Sequence, residues 1–137
     1  MSQENVEIVR RAWEASARHD NETVFELYHP DVEITFEGSV VQQLDDRVYR
    51  GIDEVRNLFR DYTEVWGEFG SEVEEWFDAG DAVIARMRNW ARGRHSGLSV
   101  TASAWHVWRL RDGKLWRLRI YALKDEAFAD ARLSETS

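Results

Sequence analysis

The sequence predicts an α+β domain, helices first and an antiparallel sheet after them, and three observations predict it. Apolar residues recur at spacings of three and four in the segments around 2–18, 21–28 and 51–66, which is the helical period. From residue 69 onward the apolar residues alternate with polar ones, which is the period of a half-buried strand. Between two such alternating runs, Val100 to Leu110 and Lys114 to Leu123, stands Arg111-Asp112-Gly113, a hairpin turn signal. Helices segregated from an antiparallel sheet make this class.

Taken in order, Ser2 is placed to cap a first helix running to about Arg18 with Val6, Val9, Trp13 and Ala17 on one face. Asp20 or Asn21 caps a short second helix carrying Val24, Phe25, Leu27 and Tyr28, which Pro30 ends. Asp31 to Glu37 alternates as a strand. Gly38 to Arg50 shows no period and reads as a long loop. Ile52, Val55, Leu58 or Phe59, Tyr62 and Trp66 form the stripe of a third helix, with Asp53 and Glu54 in its first turn. Strands follow over Phe69–Phe77 and Ala82–Arg92, around the turn Asp78-Ala79-Gly80-Asp81. Lys124 to Leu133 is a short C-terminal helix.

The hairpin admits two registers. A two-residue loop sets Trp108 opposite Arg117, whereas a three-residue loop sets Trp108 opposite Trp116 and His106 opposite Leu118. The second is preferred because it gathers Ala102, Ala104, His106, Trp108 and Leu110 with Trp116, Leu118, Ile120 and Ala122 on one face. Arg109, Arg117 and Arg119 go to the other face. His106 is then the one ionisable side chain on the apolar face.

With 137 residues the chain fits one domain, 1–137, that buries roughly two thirds of its unfolded surface. A formal charge of −8 argues against nucleic acid or an anionic membrane as partner. The absence of cysteine excludes disulfides and thiolate chemistry and suits a reducing cytoplasm. No apolar run approaches a membrane span and the polar start does not read as a secretory leader. A cytoplasmic location is the expectation. His19, His29, His95 and His106 show no ligand spacing, and Asp45-Asp46 reads as a solvated loop pair, so no metal is expected. Nor does a phosphate-cradling loop appear, and no cofactor is expected.

Five stretches carry a family resemblance: ENVEIVRRAWEA, HPDVEI, YRGIDEVRNLF, DAGDAVIARMR and HVWRLRDGKLWRLRIY. Their order resembles the superfamily shared by nuclear transport factor two, ketosteroid isomerase and limonene epoxide hydrolase, and most of all its SnoaL-like branch of polyketide cyclases. The resemblance implies a cone-shaped, curved, mostly antiparallel sheet covered by N-terminal helices on its concave face, with any catalytic groups inside. The isomerase's tyrosine falls on Ala12 or Trp13, its general base on Phe36 or Glu37, and its second aspartate on His106. Arg86 matches the hydrolase's arginine, but the aspartate two residues on is Arg88. His106 resembles the cyclases' histidine, while their aspartate falls on Ile120.

His106 is therefore the candidate base, an imidazole kept neutral by apolar neighbours. The alternative is a core histidine satisfied by a backbone carbonyl. Arg86 is placed two ways: patterning puts Val83, Ala85, Met87 and Asn89 inward and the arginines in solvent, whereas the resemblance puts Arg86 inside to steady an oxyanion. The second orientation is adopted for the candidate site. Trp13, Phe36, Tyr62, Trp66, Arg88, Trp90, Trp108, Leu118 and Ile120 complete the expected pocket for a small apolar molecule. Trp105, Val107 and Tyr121, on the opposite sheet face, are expected to pair two copies as a homodimer. The function expected is ligand binding, with cofactor-free proton transfer of isomerase, cyclase or hydrolase type. The alternatives are a carrier or sensor, and an association domain whose cone is filled by Trp108 and Trp116.

Overall fold

A computed structural model describes residues 2–37 and 47–136. Its order is α1 (Ser2–Ala17), α2 (Asn21–Leu27), β1 (Tyr28–Phe36), β2 (Val48–Arg50), α3 (Gly51–Val65), β3 (Trp66–Asp78), β4 (Ala82–Gly93), β5 (Ser99–Arg111), β6 (Lys114–Tyr121) and α4 (Lys124–Thr136). The six strands form one open, curved sheet in the order β2-β1-β6-β5-β4-β3, antiparallel except where β1 runs parallel to β6. This is the α+β cone expected from the sequence. Most of the expected 38–50 loop lies outside the described residues, and its end, Val48–Arg50, is the edge strand β2.

Asp20, not Asn21, caps α2: its carboxylate accepts from the Thr23 backbone N–H at 3.2 Å and from the Thr23 hydroxyl at 2.6 Å. The helix stops one residue sooner than the pattern suggested, and Tyr28 already belongs to β1. Pro30 fits inside that strand because the ladder to β6 is interrupted between Tyr28 and Glu33, so the missing N–H has no bond to lose.

Helices α1, α2 and α3 pack on one face of the sheet, with Val9, Ala12, Ala15, Val24 and Val55 buried against Val32, Ile34, Val83, Leu115 and Leu118. Helix α4 packs on the other face, where Ala127 and Ala131 sit on Ala82, Ile84, Trp105, Val107 and Tyr121. Both layers follow from the alternation of β4, which buries Val83, Ala85 and Met87 on one side and Ile84 on the other.

The β5–β6 hairpin corrects the preferred register. Asp112 (φ 53°) and Gly113 (φ 73°) form a two-residue loop with both residues left-handed, the pattern of a type I′ turn, and Arg111 pairs with Lys114. A bulge on β6, where Arg117 pairs with Arg109 and Leu115 with Leu110 and Trp116 is the extra residue, then shifts the pairing, so that His106 faces Ile120 and Trp108 faces Leu118. The apolar face survives the correction but Trp116 leaves it: the indole is flanked by the guanidinium of Arg111 at 4.5 Å and that of Arg117 at 4.3 Å. Gly113→Ala, which forces a Cβ into the left-handed region, is expected to lower stability by about 1 kcal/mol in urea unfolding. An unchanged midpoint would contradict the turn geometry.

Candidate ligand site

The concave face of the sheet and the helices above it enclose a cavity of about 220 Å³. Helix α1 contributes Val9, Ala12, Trp13 and Ser16, and α3 contributes Leu58 and Phe59. The sheet contributes Tyr28 and Ile34 from β1, Ser71, Val73 and Trp76 from β3, and Ala85, Met87 and Asn89 from β4. His106 and Trp108 of β5 and Leu118 and Ile120 of β6 complete the wall. Among the described residues no aspartate, glutamate, lysine or arginine lines it.

His106 stands between Ala85 and Ile120 across the two neighbouring strands, is partly buried and lines the cavity. Its imidazole has no hydrogen-bond partner among the described residues, which sets aside the satisfied core histidine. Burial pushes its pKa down to about 4, because an imidazolium there would lose water without gaining a counter-ion. The ring is therefore neutral at physiological pH, with one nitrogen able to accept a proton and the other carrying one.

The remaining expected residues divide. Trp13, Trp108, Leu118 and Ile120 line the cavity, and the indole N–H of Trp13 donates to Ser71 Oγ at 3.1 Å. Phe36 packs into the adjoining core without reaching the wall. Tyr62 is 41% exposed and meets Phe69 edge to face at 5.0 Å, and Trp66 stands beside it at the start of β3. Trp90 is on the outer face, 45% exposed and lying over Gly70, where a Cβ would come within 2.7 Å of the indole. None of these three reaches the cavity wall.

Arg86 and Arg88 are corrected to the outer face, as the alternation of β4 alone indicates. The Arg86 side chain is 45% exposed, 3.8 Å from Glu74 and 3.9 Å from Glu75, and its guanidinium is 5.8 Å from the centre of the Trp105 ring. A guanidinium turned inward would meet no carboxylate among the lining residues, and an unpaired buried charge is costly. Trp105, Val107 and Tyr121 do occupy the outer face, but they are not open to a second copy, because α4 covers them. Beside Ala127 and Ala131, α4 sets the Phe128 ring edge-on to Trp105 at 5.9 Å and to Phe77 at 5.1 Å.

Sequence reasoning also missed Tyr28, Ser16, Ser71 and Asn89 as cavity residues. Asn89 was legible as inward from the period of β4, whereas Tyr28 was assigned to a helix and its face could not be read. Among the described residues no group of three His, Cys, Asp or Glu is placed to hold a metal ion, and no helix is long and apolar enough to cross a membrane.

The profile of the SnoaL-like domain matches residues 9–118. The chain belongs to the SnoaL-like family. A nuclear-transport-factor-two-like protein from Burkholderia thailandensis E264 is 30% identical, with a TM-score of 0.72 over 92% of this SnoaL-like chain and 95% of its own. A protein from Jannaschia sp. CCS1 described as a SnoaL-like polyketide cyclase is 19% identical, with a TM-score of 0.74 over 94% and 91%. TerC, co-crystallised with polyporic acid, is 21% identical, with a TM-score of 0.74 over 93% and 97%. At these lower identities the likeness is one of fold. No curated protein matches the SnoaL-like chain significantly.

Proposed function

We propose that this SnoaL-like protein binds a small, mainly apolar molecule in the cavity and that His106 acts on it as a general base, without a cofactor. The observation that carries the reading is a neutral imidazole with no protein hydrogen bond among the described residues, presented to an apolar cavity. Its low basicity when the cavity is empty reflects burial with no anion nearby to offset the lost hydration of an imidazolium. A ligand that becomes an enolate or phenolate supplies one, so the proton moves from a carbon or oxygen acid of the ligand to the imidazole and the resulting ion pair is stabilised in the low-dielectric site. Arg86 takes no part. The fold shared with a protein described as a polyketide cyclase, and with TerC, co-crystallised with polyporic acid, supports a small organic ligand.

A carrier is the second reading, favoured by the absence of any carboxylate among the described lining residues to assist the imidazole. Exchange of the α-hydrogens of 2-tetralone in D2O, followed by NMR, separates the two. The base reading predicts that the protein accelerates exchange and that His106→Gln lowers the acceleration at least about 100-fold while binding, read by tryptophan quenching, is kept. Equal exchange in the variant contradicts it. Binding without exchange in the wild type selects the carrier.

A further inference from the structure

The polar groups of the cavity are not scattered along its wall. The inward rows of β4 and β5 run Val83–Trp108, Ala85–His106, Met87–Ala104 and Asn89–Ala102. Tyr28 closes the first end, its ring 5.6 Å from that of Trp108. Asn89 marks the other, paired across β3 with Ser71, which already receives the Trp13 N–H. His106 lies between them. Neither the Tyr28 hydroxyl nor the Asn89 amide has a hydrogen-bond partner among the described residues, although Tyr28 is 7% exposed. An unpaired polar group at the wall of an apolar cavity is costly unless water or a ligand satisfies it.

We infer that the cavity selects an uncharged, flat ligand with an oxygen at each end, one held by the Tyr28 hydroxyl and the other by the Asn89 amide, with its middle against His106. The inference rests on the ligand-binding reading above and narrows it. Length supports it: the rows of Val83 and Asn89 are six residues, about 20 Å, apart along β4, and the inward reach of the two side chains leaves roughly half of that for a ligand, about two fused or linked rings. Charge supports it as well. A carboxylate or phosphate at either end would surrender its hydration and meet only a phenol or an amide, with the imidazole of His106 away in the middle and no lysine or arginine among the described lining residues. Burial raises the pKa of Tyr28, so its hydroxyl keeps its proton and serves as a donor to a carbonyl or phenol oxygen. The Asn89 amide can donate or accept, so that end takes a ketone or a hydroxyl equally.

Three biphenyls of the same skeleton test this by quenching of tryptophan fluorescence at pH 7: 4,4′-dihydroxybiphenyl, 4-hydroxybiphenyl and biphenyl-4,4′-dicarboxylate. The diol is expected to bind about tenfold tighter than the mono-ol, the value of one further hydrogen bond. The dicarboxylate is expected to bind at least about 100-fold more weakly than the diol. Asn89→Ala and Tyr28→Phe should each bring the ratio of diol to mono-ol affinity from about tenfold toward one, because either ligand then has one polar end left to use. A dicarboxylate that binds as tightly as the diol overturns the inference, as does a diol advantage that persists in both variants. The wild-type series decides the charge selectivity even where a variant does not fold. If the biphenyls bind without these preferences, the cavity remains a ligand site and only its selectivity is refuted. If none binds, the ligand-binding reading falls with it.

Discussion

Asp130→Ala is expected to destabilise the protein by about 3–5 kcal/mol, because it removes the carboxylate on which two arginines and a tyrosine converge under α4. Asp130 Oδ1 lies 2.9 Å from Arg109 Nη2 and 3.4 Å from Arg119 Nη1, and Oδ2 accepts from the Tyr121 hydroxyl at 2.5 Å. Arg109 also donates to the Asp130 carbonyl at 3.0 Å. The Asp130 side chain is 5% exposed and that of Arg109 12%. Water therefore cannot replace the lost partner without opening the helix contact, and two guanidiniums would face each other and an unpaired phenol. This ionic cluster holds α4 over Trp105, Val107 and Tyr121, so the variant should also expose that apolar surface and bind a hydrophobic dye. Urea unfolding reads the first effect. A loss below about 1 kcal/mol would mean that the cluster behaves like an exposed pair.

The second large effect is a dependence of stability on pH set by His106. Its folded pKa, about 4, lies below the unfolded value of 6.5, so between these pH values the unfolded chain binds a proton that the folded chain refuses. The neutral imidazole contributes its full share of stability above pH 6.5, and this share is lost progressively as the pH falls toward 4. A shift of this size corresponds to roughly 3 kcal/mol across the window. His106→Leu, which fills similar space and cannot charge, should flatten this part of the profile. Urea midpoints at pH 7 and pH 4.5 measure the difference, and an equal acid loss in the variant would assign the titration elsewhere.

Much of the site was legible in short-range pattern. The alternation of β4 alone placed Ala85, Met87 and Asn89 inward, and that of β5 placed His106 beside Trp108. What the pattern could not show was non-local. Arg86 finds Glu74 and Glu75 only because β3 is bulged next to Glu74 and pairs with β4 there, a register that no local signal carries. The resemblance pointed Arg86 inward, and simple alternation was the better guide because the cavity offers no described carboxylate to receive it. The bulge that carries Trp116 between Arg111 and Arg117 was equally hidden, since one extra residue reverses a face without altering composition. Tyr28 shows a different failure. It sits at a helix-to-strand junction with no turn between, and both periods accommodate it.

The account depends on a neutral imidazole that meets the ligand. NMR of 15N-labelled histidine, recorded from pH 7 to pH 4 with and without 4,4′-dihydroxybiphenyl, observes it directly. The prediction is a His106 signal of a neutral ring down to about pH 4.5, with both ring nitrogens shifting when the biphenyl is added. A ring that titrates near 6.5 and ignores the biphenyl would contradict it.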